Sequence, residues 1–421
     1  MRRIAWMLML AFAVGCGSAT TKTTVNDEAP KDLELPPEVV SYFQSGDLNG
    51  AISALSGMID QRPKDETLYS LRATAFHRSG NNEGALADLN QAIKLNPEDA
   101  RLYNNRGFVS LSMSKFDEAI ADFEQATQRA PRFTNAYNNR GLVYIAQQRY
   151  EEAITQFSKA IELEMQYVDA YNNRGFAELE SGQIENALND FNAAIQFDSQ
   201  YVNAYNNRGL LRARVGDFEN AIIDFTQAMM LDPLNPKYYQ HRSEVYYRQG
   251  AIDKAMADEK KLVWLVQLHQ LNSAIASTAE PVIELTQRAH HYLQVNDQSR
   301  ALEDLNQALK LNPRATAALT ARAELHLRRK SISEARTDAE ACLAIEPTEG
   351  AYSVLGDVFL SLKDYDRAIE NFALSRRVDP NVAEAYYAKS KVLAEQGLVE
   401  KANSTMQQAL ALDPEVGKRL R

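Results

Sequence analysis

Apolar residues recur at three- and four-residue spacing through nearly the whole chain, as amphipathic helices require. The pattern repeats every 34 residues, with units starting at Asp32, Glu66, Ala100, Thr134, Val168, Val202, Pro236, Val282, Thr316, Glu349 and Ala383. The ninth unit is one residue short, and twelve residues from Gln270 to Pro281 follow the seventh. Each unit carries an aromatic or Leu at its fourth place and Ala at its twentieth, and all but the first, which has Val39, carry a small residue at the eighth. An apolar residue usually follows at the twenty-fourth, Ala at the twenty-seventh and often Pro at the thirty-second. This predicts two helices per unit. The small residues let two backbones approach where a larger side chain would overpack. Pro ends the second helix because it has no amide hydrogen to give. One helix pair cannot bury its apolar faces alone, so the units must stack.

Two further regularities concern polar residues. Arg holds the seventh place in units two to nine, and Asp the twenty-third in seven of those eight, from Asp88 to Asp338, with Gln156 the exception. Units one, ten and eleven lack both, so the two residues come and go together. That predicts a salt bridge between the two helices of each of these seven units, rather than a column of arginines reserved for a ligand. The second regularity is Tyr-Asn-Asn-Arg-Gly, present at Tyr103–Gly107, Tyr137–Gly141, Tyr171–Gly175 and Tyr205–Gly209.

These offsets resemble the tetratricopeptide repeat, over about nine-tenths of the chain. The resemblance implies an all-α fold, a right-handed α-solenoid (superhelix) of eleven two-helix tetratricopeptide repeats, with first helices lining the concave wall. The organisation expected is a signal peptide over 1–15, a flexible tether over 16–31, seven repeats over 32–269, an extended helix or linker over 270–281, four repeats over 282–416 and a tail over 417–421.

On that wall the sixth places hold Asn105, Asn139, Asn173 and Asn207, with Asn104, Asn138, Asn172 and Asn206 one place earlier. A carboxamide has both a donor and an acceptor, so it can bond a peptide backbone whatever the peptide's sequence. The row is similar to the asparagine ladder of O-linked GlcNAc transferase repeats and to the Asn of heat-shock co-chaperone clamps. The competing reading is that these amides cap turns or bond neighbouring helices. Each hydrogen bond contributes a net ~0.5–1.5 kcal/mol, while association costs ~4–15 kcal/mol. Apolar help is therefore needed, and Phe108, Leu142, Phe176 and Leu210 stand one turn further on. The expected partner is an extended protein or peptide.

The remaining signals place the chain and exclude chemistry. Arg2 and Arg3 precede an apolar run from Ile4 to Val14 that ends in Ala13-Val14-Gly15-Cys16. This resembles the lipobox of bacterial lipoproteins, whose cysteine is acylated. It implies a membrane anchor through Cys16 and a periplasm-facing envelope protein, with Gly17 favouring the outer membrane. The formal net charge is -10, which argues against a nucleic-acid partner. The six histidines are scattered, and His290 and His291 point apart on one helix, so no metal site is expected. No phosphate loop or nucleophile elbow appears, so neither a cofactor nor an enzyme is expected. Cys342 takes a small-residue place inside a helix. Around Trp264 a helix extends to about Ala276, and Ser277 with Glu280 is positioned to start the next one. The extra apolar face there either packs within the bend or docks a partner or a second copy of the chain.

Overall fold

A computed structural model describes residues 36–420. The expected signal peptide, Cys16 and the tether lie outside the described residues. Among the described residues all regular structure is helical, and no helix is long and apolar enough to cross a membrane. The chain divides into two compact bodies, one through Glu259 and one from Lys260.

Helix starts follow the repeat. In the first body, first helices begin at Glu66, Ala100, Thr134, Val168, Val202 and Pro236; in the second, at Val282, Thr316 and Glu349. The last repeat starts three residues early, as Pro380–Glu395, because the Asp379 side chain accepts from the Asn381 amide and Pro380 suits the first turn. Each first helix packs on the second helix of its unit, and each second helix on the first helix that follows. Adjacent first helices also touch, from unit three to unit seven in the first body and from unit eight to unit eleven in the second, so each of these runs forms one continuous face.

The small residues do what their size predicts. Every twentieth-place Ala from Ala51 to Ala368 is fully buried. A Cβ added to Gly141 would stand 2.5 Å from the Phe157 ring, closer than any side chain tolerates. Proline is not needed to stop the second helices. Units four and five carry Met165 and Ser199 in its place, yet their second helices still end at Leu163 and Phe197. An extended residue, Glu164 or Asp198, breaks the ladder in each. A second punctuation was missed in the sequence. The fifteenth place is left-handed throughout, with Gly at 46, 80, 182, 216, 250 and 397 but Ser114, Gln148, Asn296, Lys330 and Lys363 elsewhere.

All seven expected Arg–Asp pairs form. The shortest contacts lie at 2.6–2.7 Å, and every Asp side chain is at most 8% exposed. The arginines also do something the sequence did not announce. Each sends Nη1 sixteen residues back to the second helix before it: Arg72 to Ser56, Arg106 to Asn90, Arg174 to Ser158, Arg208 to Asn192, Arg242 to Thr226 and Arg322 to Asn306. One guanidinium thus ties three helices.

The extended helix is real and runs over Ile252–Ser277. In the second body its later turns replace the missing neighbour of unit eight: Asn272 accepts from Arg288 Nη1 at 2.7 Å. Trp264 stacks on His291, centroids 4.7 Å apart, and donates Nε1–H to the His291 carbonyl. His291 Nε2–H returns the bond to the Trp264 carbonyl at 2.8 Å. The expected Ser277–Glu280 start does not form. Ser277 ends the long helix, its hydroxyl spent on the Ala274 carbonyl, and Val282–Leu293 begins after Pro281 without a side-chain cap.

Candidate functional site

The Tyr-Asn-Asn-Arg-Gly segments all fall on first helices, where Tyr lies under the Arg of its own motif at 5.6–5.9 Å. The paired amides between them engage one another. Asn139 Nδ2 donates to Asn104 Oδ1 at 2.9 Å, Asn173 to Asn138 at 3.0 Å and Asn207 to Asn172 at 2.9 Å. The fifth place of one unit thus accepts from the sixth place of the next. Within units the chain closes through Asn104 to Asn105, Asn172 to Asn173 and Asn206 to Asn207, at 3.2–3.4 Å. His241, at the sixth place of unit seven, ends the series by donating Nδ1–H to Asn206 Oδ1 at 2.8 Å.

This corrects the expected open row. Asn104, Asn138, Asn172, Asn173, Asn206 and Asn207 are buried and spent on neighbouring first helices. Asn105 and Asn139 are half-buried. The physical reason is proximity: first helices of adjacent units touch, and burying an amide there without a partner costs more than pairing it. The apolar quartet divides. Phe108 is exposed, its ring edge-on to His77 at 5.7 Å. Phe176 is buried, while Leu142 and Leu210 pack against the clusters around Phe157 and Phe225.

A polar row that the sequence reading passed over lies at the unit ends. Tyr167 donates to Asn135 Oδ1 at 2.9 Å, and Tyr201 to Asp169 Oδ1 at 2.5 Å. In each the thirty-fourth place reaches the second place of the same unit. Burial pushes the Asp169 carboxyl up, against the lowering effect of the Tyr201 hydroxyl. It pushes both phenols up as well. The signal was available: Tyr-Val recurs at Tyr167-Val168 and Tyr201-Val202.

Two titratable groups depart furthest from their usual behaviour. His241 is held down to about 3, by burial first and by Lys237 second, so its ring stays neutral. Glu178 is pushed up to about 8 by burial and by the Asp190 charge, with the Arg174 charge opposing. Its Oε2 is buried without a partner. At the equivalent place in unit six, Arg212 instead donates to Asp224 at 2.7 Å. Cys342 is buried, its Sγ 3.4 Å from Thr320 Oγ1 and 3.5 Å from Thr348 Oγ1. Among the described residues no three His, Cys, Asp or Glu side chains converge as metal ligands.

Comparison with known proteins gives a consistent result. A family model described as TPR repeat matches residues 73–113, 141–180 and 177–216. Two described as tetratricopeptide repeat match 286–349 and 354–416, and 100–133 and 202–233. No curated protein matches the chain. Solved structures similar to it include a tetratricopeptide repeat protein from Parabacteroides merdae, 17% identical over 62% of this chain and 98% of that one, TM-score 0.40. YrrB, titled a TPR protein with an unusual peptide-binding site, is 20% identical over 56% and 97%, TM-score 0.33. Pseudomonas aeruginosa pilF is 17% identical over 54% and 98%, TM-score 0.38.

Proposed function

Because this chain belongs to the tetratricopeptide-repeat family, we propose that it is a non-catalytic scaffold binding a protein partner on the first-helix face of units three to six. The observation that carries this reading is the division of labour among the asparagines. Six are buried and hold neighbouring first helices in register, which keeps the face rigid before a partner arrives. Two remain half-buried on it. Asn105 accepts from Asn104 and keeps its amide hydrogens; Asn139 donates to Asn104 and keeps its carbonyl oxygen. That leaves a donor and an acceptor on adjacent units, the pair an extended backbone needs. Two such bonds contribute ~1–3 kcal/mol, short of the cost of association. The partner must therefore also cover apolar surface, for which Phe108 is the exposed anchor.

The leader adds a location to this role: a lipid on Cys16 would hold the scaffold at the bacterial envelope, facing the periplasm, with the outer membrane favoured. A second reading, self-association at the extended helix, draws on the exposure of Val263 and Val266 beside Trp264. Affinity isolation from the native envelope with the paired change Asn105→Ala and Asn139→Ala tests the first reading. Loss of a captured partner at unchanged melting temperature supports it, and an unchanged partner list overturns it. Fatty-acid labelling of wild type against Cys16→Ser tests the anchor.

A further inference from the structure

The second body carries a cavity of about 360 Å³ against unit nine, bounded by Ala317, Thr320, Ala321, Glu324 and His290. Its wall is a first-helix surface with small residues at the second and sixth places, a hydroxyl at the fifth and a carboxylate at the ninth. The next unit repeats the last two features as Ser353 and Asp357, and there the structure shows what they hold. Arg377 Nη1 donates to Ser353 Oγ at 3.0 Å, to the Ser353 carbonyl at 3.2 Å and to Asp357 Oδ2 at 2.6 Å. Its Nε donates to Asp379 at 2.5 Å, and the side chain is only 19% exposed.

Unit nine lacks that internal guanidinium for two reasons. Ala344 stands at the place Arg377 occupies one unit later. The second helix of unit ten also stops early, at Leu374, and left-handed Arg376 (φ 56°) turns the chain so that Arg377 swings inward. In unit nine the helix continues through Leu343. Glu324 makes no ion pair among the described residues, and His290 spends Nδ1 on the Thr286 carbonyl.

We propose that the unit-nine cavity receives an arginine side chain from an extended segment of a partner protein, with Glu324 as its counter-ion and, as acceptor, the Thr320 oxygen, whose hydrogen goes to Cys342 Sγ while that thiol donates to the Thr316 carbonyl. The site is independent of the first-body face described above. A guanidinium suits it better than an ammonium because a planar fork can reach the hydroxyl and the carboxylate together, as Arg377 does.

The test is a random pentapeptide array probed with the full chain, its Glu324→Gln and Ala317→Phe variants, and Glu303→Gln as a charge control on the exposed second helix of unit eight. Wild type and Glu303→Gln should enrich arginine at one position. Glu324→Gln should weaken binding of the selected peptides about tenfold or more, as loss of a charge-assisted bond predicts. Ala317→Phe should do the same by filling the cavity with its charge intact. Melting curves matching wild type establish that both variants are folded. Enrichment of acidic or apolar residues instead, or arginine enrichment that survives Glu324→Gln, overturns the proposal.

Discussion

Arg208 and Asp224 meet in a two-pronged pair, Nε to Oδ2 at 3.0 Å and Nη2 to Oδ1 at 2.7 Å, while Arg208 Nη1 reaches back to Asn192 at 2.6 Å. Asp224 is 1% exposed and also accepts from Arg212. One carboxylate therefore balances two guanidinium groups at a junction of three helices, and its neighbours in other units repeat the arrangement with one arginine each.

Asp224→Asn keeps the shape and removes the charge. Two partly buried cations then lose their counter-ion, at a cost of ~3–5 kcal/mol. Asp88→Asn, which strands only Arg72, should cost less. Hydrogen exchange should show the loss concentrated in Val202–Arg214 and Phe218–Leu231, and little effect of salt, since the pair is shielded.

Gln156→Asp should stabilise the first body. Arg140 now donates both Nε and Nη2 to the single Gln156 Oε1. A carboxylate would give it two charged acceptors, as in the other seven units. Hydrogen bonds to charged groups exceed neutral ones by roughly 1 kcal/mol, so thermal unfolding should show a higher melting temperature.

Glu178 makes the first body less stable as pH rises. An unfolded glutamate releases its proton near its ordinary value, whereas Glu178 holds its proton up to about 8. Between those limits the folded state binds more protons, and stability falls with increasing pH. Arg174 on its own helix, Asp190 on the second helix of its unit and Glu151 on the preceding one set this balance. Glu178→Gln should flatten the decline and raise the melting temperature at pH 8, as a pH series of melts would reveal.

His241 acts at the acid end. Its unfolded ring takes a proton near its ordinary value, but the folded ring only near 3. Stability is therefore lost as pH falls between those values, by at most ~1.4 kcal/mol per pH unit. His241→Asn restores the residue that units three to six carry at that place. It should bond Asn206 as Asn207 bonds Asn172, and remove that part of the acid sensitivity.

The difference between what was legible and what was not is geometric. The Arg–Asp pairs could be read because both residues vanish together in units one, ten and eleven, and because both lie within one unit. The Asn pairs offered no such contrast, since Asn104-Asn105 and its copies occur together in four units without a partial case. Their bonds also cross from one unit to the next, as in Asn173 to Asn138, and period alone does not say how far adjacent first helices are rotated. The back-contacts from Arg Nη1 were hidden for the same reason. Helix starts were readable to the residue through most of the chain because a 34-residue register leaves no slack. The start failed at Pro37, five residues after Asp32, and at Pro380, where a proline in the first turn supplies a stronger local signal than the repeat.

Site-specific photocross-linking in the native host bears most directly on the scaffold role. A benzophenone amino acid would replace Asn105 or Phe108 on the first-helix face, and Thr155 or Asn189 on exposed second-helix positions. A shared protein adduct at Asn105 and Phe108, missing at Thr155 and Asn189, is the predicted result. Adducts formed only from the second-helix positions would contradict a partner held on the first-helix face.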